Sequence, residues 1–568
     1  MRILLISTAF NALTQRFYTE LMDADYEVSV ELHHGDREKL LAGIKLFQPD
    51  LILCPFLTRY LSAEIYTNYP CIIVHPGIKG DRGPSSLDWA IQNNLAEWGV
   101  TLFQADEEMD AGYIWSSKNF PMRTASKSSL YNREVTETAV KALWEVLTYF
   151  ESPDFKAEPL DYKKADVMGQ FQSFMKQHDR SINWQTQKTD DIVRYILAAD
   201  GTPGVLDEIY GQAVFLYNVH KEDKLTGKAG EIIATANQAI CRATIDGAVW
   251  IGHLKRKLAK GEKGIKLPST QILKGLIPKD VNNIEIDYCQ IGKQLACQEL
   301  WYSLEDDIAY IHFDFHNGAM NTQQCLLMLK VYQYVATLPV KVIVLLGGEN
   351  YWSNGIHLNV IEAADNSANE SWHNINAIND IIYQIITTTD KLIISAMAGN
   401  SAAGGVMLAL GADFIFARRG VIMNPHYKSM GGLYGSEYWT YCLPKRVGDK
   451  KAIELTEECL PISTNYALQI GLVDKVLDNN HTLFYAQVRN LTKLLISDNV
   501  LLQQILNTKS VKLCADESNK SLNLYRKDEL KRMYVNFYGN DQYHKARHRF
   551  VFKISYNETP TNIALHRK

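Results

Sequence analysis

The sequence predicts an α/β protein with three domains, on the evidence of three changes in pattern along the chain. In residues 1–165, short apolar runs alternate with helical patterns, which is typical of a Rossmann-like parallel sheet covered by helices. Residues 175–275 carry short β-type runs and predict a small barrel-like (OB-like) domain. After a linker at 276–303, strand–turn–helix units return in residues 304–568. A chain of 568 residues is expected to form about three domains.

The composition is that of an ordinary soluble protein. Hydrophobic residues make up 46% and charged residues 22%, and the net charge of −5 gives no support to a nucleic-acid or membrane partner. The apolar run at the N-terminus is too short for a signal peptide, so we expect a cytoplasmic location. The nine cysteines include no Cys-x-x-Cys pair, which favours reduced thiols and predicts no metal site.

Residues 71–114 contain the first candidate site. The apolar run 71–74 ends at His75, where Pro76 and Gly77 break the strand, and a second run, 100–104, leads to an acidic turn with Asp110. If both strands are parallel, the histidine and the carboxylate meet at the edge where open α/β sheets bind ligands. A His–Asp pair there can move protons near neutral pH.

This stretch resembles the formyltransferases that use formyltetrahydrofolate, a resemblance that covers residues 1–165. It rests on four short motifs: Val74-His75-Pro76-Gly77, Gly83-Pro84-Ser85, Trp89-Ala90-Ile91 and Met109-Asp110-Ala111-Gly112. The resemblance implies a folate carrier in a cleft beside His75 and Asp110. It also implies folate contacts from Phe56, Leu57, Arg59 and Asp106, although a plain sheet-edge loop explains residues 55–59 equally well. The sequence departs from the family at Ile73, where the family has asparagine.

Residues 175–275 resemble the small second domain of methionyl-tRNA formyltransferase. The signals are Ile182-Asn183-Trp184 and Thr202-Pro203-Gly204. In that enzyme the domain contacts tRNA. The lysines of residues 219–265 alternate here with Asp and Glu, so a solvated surface is the better interpretation, and we expect no tRNA partner.

The C-terminal block resembles the crotonase (enoyl-CoA hydratase/isomerase) superfamily. Two small-residue loops carry the resemblance, Trp352-Ser353-Asn354-Gly355-Ile356 and Gly399-Asn400-Ser401-Ala402-Ala403-Gly404-Gly405. A thioester oxyanion requires two hydrogen-bond donors, and small residues leave backbone N–H groups accessible. The resemblance assigns these donors to Asn354 and Gly404, and CoA contacts to Ser353, Ile356 and Gly405. The alternative is that the glycine of this loop is needed only for close packing of helix against sheet.

The two glutamates that hydratases use to handle water fall here on Met407 and His426, which excludes a two-glutamate hydration mechanism. The aromatic loop beyond offers His426, Tyr434 and Glu437 as a proton-transfer set, with His426 the first candidate and Glu437 the second. An aromatic loop that only packs in the core, with no catalytic role, explains any one of these residues equally well.

The tail at 546–553 resembles the crotonase segment that packs on the CoA nucleotide. The residues concerned are Arg547, Arg549, Phe550 and Lys553. The basic side chains can contact phosphate. A basic surface helix is the alternative.

The simplest functional link between the two modules is the transfer of a one-carbon group, in which a formyl group passes from folate to the thiol of coenzyme A. Formyl-CoA has no α-carbon, so hydrolysis, transfer or loss of carbon monoxide remains. The arrangement is similar to that of a family of hydrogenase maturation factors. This resemblance implies that carbon monoxide is made from N10-formyltetrahydrofolate for the iron of [NiFe]-hydrogenase, with maturation proteins as partners. Two alternatives stay open: a formyltransferase acting on an amine or sugar, with the crotonase half as a docking module, and a non-enzymatic CoA-binding scaffold.

The apolar Ile73 suits a thiol acceptor, which ionises with a pKa near 8.5 and needs less help from an amide donor.

Overall fold

The computed structural model describes residues 1–539, 541–555 and 558–568, with the backbone alone at residue 541. It separates into two compact units, Met1–Glu285 with Ser555–Lys568, and Ile286–Ile554. Both ends of the second unit therefore differ from the predicted domain 304–568. Within the described ranges, no helix has the length and apolar character needed to cross a membrane.

The first unit opens with an α/β layer whose strands β1, β3 and β4 are largely buried apolar runs. Its strands are β1 (Arg2–Ser7), β2 (Glu27–Leu32), β3 (Leu51–Cys54), β4 (Cys71–His75), β5 (Glu97–Gln104) and β6 (Ile114–Pro121). Its helices are α1 (Ala12–Asp23), α2 (Arg37–Phe47), α3 (Ala63–Tyr66), α4 (Ser86–Gln92), α5 (Lys127–Leu130) and α6 (Thr136–Phe150), with a π-helical turn at Tyr131–Val135. Because β1 and β3 are covered on both faces, they are continuously apolar rather than alternating.

The strand order of this sheet is β2-β1-β3-β4-β5-β6. Strands β1 to β4 pair in parallel, as predicted. Strand β5 is antiparallel to β4, and β6 is antiparallel to β5. The parallel direction predicted for the strand that precedes Asp110 is therefore wrong.

The rest of the first unit is mainly antiparallel. Its elements are α7 (Thr189–Ala199), β7 (Val205–Ile209), β8 (Gln212–Glu222), β9 (Ile232–Ala236), β10 (Ala239–Ala243), β11 (Ala248–Arg256), β12 (Lys266–Pro268), α8 (Ser269–Ile272) and β13 (Asn282–Asn283). The sheet runs β13-β9-β10-β11-β8-β7, with β12 paired to β11. The C-terminal residues pack on β2, where Nε2 of His566 lies 2.6 Å from Oε1 of Glu31.

The second unit repeats strand, turn and helix. Its strands are β14 (Leu300–Glu305), β15 (Ile308–Phe313), β16 (Ala319–Met320), β17 (Val342–Gly347), β18 (Tyr351–Ser353), β19 (Gly355–Ile356), β20 (Leu392–Met397), β21 (Asn400–Ala402), β22 (Phe414–Arg418), β23 (Ile422–Asn424), β24 (Ile462–Ser463) and β25 (Lys475–Leu477). Its helices are α9 (Thr322–Thr337), α10 (Leu358–Ala363), α11 (Ser367–Thr387), α12 (Gly404–Leu410), α13 (Trp439–Val447), α14 (Asp449–Glu458), α15 (Thr464–Gln469), α16 (His481–Ser497), α17 (Asn499–Asn519), α18 (Leu522–Gly539) and α19 (Asp541–Val551).

Two sheets of this unit position its candidate site. The larger runs β14-β15-β17-β20-β22-β25, and a smaller one runs β18-β21-β23-β24. Strands β18 and β21 are parallel neighbours, with Ser353 opposite Ser401. Asn354 follows β18 directly and Gly404 lies two residues after β21, so both emerge at the same end of the small sheet.

Candidate active sites

His75 is the last residue of β4 and is almost fully buried. Its Nε2 lies 2.7 Å from Oδ2 of Asp81, and its Nδ1 lies 3.9 Å from Oδ2 of Asp110. Burial by itself lowers the pKa of His75. The hydrogen bond to Asp81 and the charges of Asp110 and Asp81 outweigh it, so the pKa is raised. A histidine in this setting is suited to taking up a proton.

The predicted partner Asp110 reaches His75 by a route different from the one expected. Since β5 is antiparallel to β4, His75 pairs with Thr101 and the end of β5 lies beside the start of β4. The loop between β5 and β6 folds back. Asp110 has a left-handed backbone with φ of 55°, and its Oδ2 accepts a hydrogen bond of 3.0 Å from the N–H of Gly83.

Asp81 is the residue at this site that sequence reasoning missed. Its position six residues after the histidine, in the loop that replaces the rest of the strand, was the available signal. Gly77 makes the contact possible, because a Cβ there would lie 2.5 Å from Nε2 of His75 and even closer to Oδ2 of Asp81.

Ile73, the departure from the formyltransferase pattern, lies two residues before His75 on the same strand. Successive side chains of a strand alternate between faces, so Ile73 and His75 share a face of the sheet. Ile73 is half-buried and packs against the apolar cluster that includes Leu61 and Ile65. It therefore presents an apolar surface beside the histidine.

The four predicted folate residues lie in loops at the ends of β3 and β5. Phe56 and Leu57 are half-buried, and the Phe56 ring meets Tyr131 edge to face at 6.3 Å. Arg59 and Asp106 are exposed, and Oδ1 of Asp106 accepts from the N–H of Glu107 at 2.6 Å. Folate binding by these residues stays a prediction.

In the second unit, Gly404 begins α12 and lies directly against Glu437. A Cβ at Gly404 would overlap Oε1 of Glu437, and a Cβ at Gly405 would overlap the carbonyl oxygen of Ser353. Neither position can hold a side chain without movement of its neighbour. The backbone of Gly404 at its Cα therefore lies directly beside the Glu437 carboxyl group.

The second predicted oxyanion donor is already engaged in this structure. The N–H of Asn354 donates to the carbonyl oxygen of Gly318 at 2.6 Å, and its side-chain amide donates to the carbonyl of Asn317. The prediction that this N–H faces the ligand disagrees with that geometry. Of the predicted CoA contacts beside it, Ser353 is fully buried and Ile356 pairs with Met320.

Glu437 is buried and held in a hydrogen-bonded loop. Its Oε2 accepts from the Tyr427 hydroxyl at 2.9 Å and from the N–H of Ser436 at 3.0 Å. Burial is the main cause that raises the pKa of Glu437 to about 8, the hydrogen bonds lower it, and the charge of Glu529 raises it. Tyr427 was missed from the sequence, since only the fold brings it to Glu437.

A second buried carboxylate supports that loop. Glu529 on α18 accepts from the N–H and hydroxyl of Thr440 at 2.9 and 2.6 Å, and from the N–H of Tyr438 at 3.0 Å. Glu437 and Tyr438 have left-handed backbones, with φ of 63° and 56°. Hydrogen bonds donated to Glu529 thus hold a backbone conformation that residues other than glycine ordinarily avoid.

His426 and Tyr434 lie in the same region of the chain, and within the described residues neither forms a hydrogen bond with Glu437. Nε2 of His426 is buried with no hydrogen-bond partner in the described parts of the chain. Burial lowers the pKa of His426 to about 4, so its imidazole is neutral at pH 7. The Tyr434 ring packs on Trp439 at 5.4 Å and under the Arg532 guanidinium at 4.4 Å.

The predicted phosphate contacts of the tail are only partly compatible with the structure. The Arg547 guanidinium is buried, with Nε 2.6 Å from Oε2 of Glu362 and Nη2 3.1 Å from Oγ of Ser367. It is therefore committed to its own unit, which corrects the prediction for this residue. Arg549 lies in the last turn of α19, the Phe550 ring is exposed, and burial lowers the pKa of Lys553.

No group of three or more His, Cys, Asp or Glu side chains in the described residues is arranged to hold a metal ion. Three known families match the chain. Formyl transferase matches residues 23–147, the formyl transferase C-terminal domain matches 175–267, and enoyl-CoA hydratase/isomerase matches 304–557. The fold and both sites thus define a formyltransferase joined to a crotonase-type protein.

Individual relatives narrow this class. Hydrogenase maturation factor HoxX of Bradyrhizobium diazoefficiens is 42% identical over 569 residues, which cover 100% of this chain and 97% of HoxX. HypX from Aquifex aeolicus, solved in complex with tetrahydrofolic acid, superposes with a TM-score of 0.95 at 42% identity and covers 100% of this chain and 99% of that one. A methionyl-tRNA formyltransferase from Geotalea uraniireducens is 23% identical over 41% of this chain and 76% of that enzyme. The chain belongs to the HypX/HoxX family of hydrogenase maturation factors.

Proposed function

We propose that this chain transfers the formyl group of N10-formyltetrahydrofolate to coenzyme A and then releases carbon monoxide from formyl-CoA. The observation that carries the proposal is the buried Glu437 carboxyl, with its raised pKa, lying against Gly404. The tetrahydrofolate complex of the related HypX supports folate as the formyl donor. The carbon monoxide would serve as an iron ligand during [NiFe]-hydrogenase maturation, with maturation proteins as partners.

In the first step, His75 takes the proton of the attacking thiol. A C–S bond forms at the formyl carbon, the bond from that carbon to N10 breaks, and the proton ends on N10. Asp110 and Asp81 stabilise the charged histidine that forms in between. The apolar Ile73 beside the histidine makes the site less hospitable to water and so disfavours hydrolysis.

In the second step, Glu437 in its carboxylate form removes the formyl hydrogen as a proton. The C–S bond breaks with its electron pair going to sulfur, carbon monoxide leaves, and the proton returns to give the thiol. Nothing is oxidised or reduced overall, so no further reactant is needed. The N–H of Gly404 would bind the thioester oxygen, and Nε2 of His426, which has no hydrogen-bond partner within the described residues, would offer a second polar contact.

The test is a headspace measurement with the purified full-length chain. N10-formyltetrahydrofolate labelled with ¹³C in the formyl group is supplied with and without coenzyme A, and labelled carbon monoxide and formate are quantified. We expect labelled carbon monoxide only when coenzyme A is present. Formate as the only product refutes the decarbonylation step, and turnover independent of coenzyme A favours an amine or sugar acceptor. Tight binding of coenzyme A without any turnover favours a scaffold.

A further inference from the structure

His75 has two carboxylate neighbours on opposite sides of its ring, and they are not equivalent. The 2.7 Å contact from Nε2 to Asp81 is a full hydrogen bond, whereas the 3.9 Å separation of Nδ1 from Asp110 is too long for one. In this structure, Asp110 acts on the histidine by charge, and Asp81 acts by a directed bond.

The loop that carries Asp81 is built tightly around that bond. The Asp81 side chain is 1% exposed, and its N–H donates to the carbonyl of Ile78 at 2.8 Å. The hydroxyl of Thr101 on β5 donates to the carbonyl of Gly77 at 2.9 Å. A Cβ at Gly169 would overlap the backbone nitrogen of Asp81, so a second segment packs directly on the loop. The carboxylate therefore has little freedom to leave Nε2.

We propose that Asp81 is the positioning residue of the formyl-transfer site: it accepts the Nε2–H of His75 and so leaves Nδ1 as the unprotonated nitrogen facing Asp110. In a neutral imidazole only one nitrogen carries a proton, and a carboxylate beside one nitrogen selects that tautomer. The role rests on the proposed function only in that the proton accepted by Nδ1 comes from the attacking nucleophile. That proton then passes to N10 as the C–N10 bond breaks.

The same arrangement predicts the direction of a pH effect. The charged groups that face His75 are Asp81 from its own loop and Asp110 from the β5–β6 loop, and the Phe103 ring on β5 is uncharged. Both carboxylates favour the protonated imidazole, so removal of the Asp81 charge should shift the protonation of His75 to lower pH.

The experiment compares Asp81→Asn with the parent in the full chain. The amide keeps the shape of the side chain but favours the wrong tautomer, an exchange that lowers the rate by about 10⁴ in the serine protease triad. We expect formyl-folate consumption to fall by roughly 10²–10⁴-fold. The acid limb of its pH profile should move to lower pH, and carbon monoxide release from added formyl-CoA should be unchanged. The matched control is Asp166→Asn, which removes an exposed carboxylate that pairs with Lys79 and should leave the rate and the pH profile as in the parent.

Consumption is scored whatever product accumulates, so the two proposals fail separately. Formate in place of carbon monoxide overturns the proposed acceptor and leaves the Asp81 result valid. Parent-like consumption by Asp81→Asn with an unmoved acid limb overturns the role of Asp81. An independent reading is the ¹⁵N spectrum of histidine-labelled protein, with His75 assigned through His75→Ala. A proton on Nε2 of the neutral ring is expected, and a proton on Nδ1 refutes the inference without any activity assay.

Discussion

Replacement of Glu437 by glutamine should change stability and activity in opposite directions. The pKa of Glu437 is raised from 4.5 to about 8, mainly by burial, so the folded protein prefers the neutral carboxyl. A raised pKa stabilises the fold fully below about pH 4.5, and that contribution is lost as the pH rises through 8. At about 1.4 kcal/mol for each pH unit, the parent should lose up to about 5 kcal/mol relative to the glutamine variant. Glutamine keeps the size of the side chain and an oxygen that can accept from Tyr427 and Ser436.

The assay is thermal unfolding of parent and variant at intervals from pH 5 to pH 9, with the difference in melting temperature plotted against pH. We expect the two proteins to melt together near pH 5 and the Glu437→Gln variant to melt higher at pH 9. Glu457→Gln, at a carboxylate that is 54% exposed, is the control and should follow the parent.

Activity provides the second half of this test. The variant should release carbon monoxide from formyl-CoA about 10²–10⁴-fold more slowly, since it lacks the base. In the parent, the reactive form is the carboxylate, so the rate should rise about tenfold for each pH unit up to about 8 and then level off. A pH dependence of stability that is the same in both proteins would show that the pKa of Glu437 is not raised. Full carbon monoxide release by the variant would show that Glu437 is not the base.

Three further substitutions test neighbouring parts of the two sites. Gly404→Ala places a methyl group where Oε1 of Glu437 lies, so the carboxyl must move by roughly 1 Å and carbon monoxide release should fall about 10²-fold. The matched control is Gly539→Ala, where an added Cβ meets nothing within 4 Å. Equal rates in the two variants would contradict the geometry. Ile73→Asn restores the amide of the formyltransferase pattern and should raise the amount of formate relative to the CoA-dependent product. The ratio of the two products is measured with labelled formyl-folate. An unchanged ratio would mean that Ile73 has no part in excluding water. Glu529→Ala leaves the N–H groups of Tyr438 and Thr440 without their acceptor, which should cost about 1–3 kcal/mol of stability for each group, so the melting temperature of the second unit should drop. An unchanged melting temperature would mean that the loop keeps its left-handed residues without this carboxylate.

Much of the fold follows from local pattern. Strands β15 and β20 have the bounds that the sequence predicts, because a strand covered on both faces is apolar at most of its positions. The two small-residue loops were also predicted from the sequence, and in the structure they lie close together because β18 and β21 are parallel neighbours. Gly404 lies beside Glu437 in the structure, and the roles of both residues remain proposals.

Tertiary structure alone decided three features: the direction of β5, the buried partners of His75 and Arg547, and the placement of residues 558–568. An apolar run has the same period whichever way its neighbour runs, so nothing local indicated that β5 is antiparallel to β4. Asp81 reaches His75 because Gly77 allows close approach, and Arg547 turns from solvent to Glu362 because α10 and α19 pack together. The pairing of Arg547 with Glu362 forms where two segments far apart in the sequence meet, and local periodicity carries no information about which segments those are.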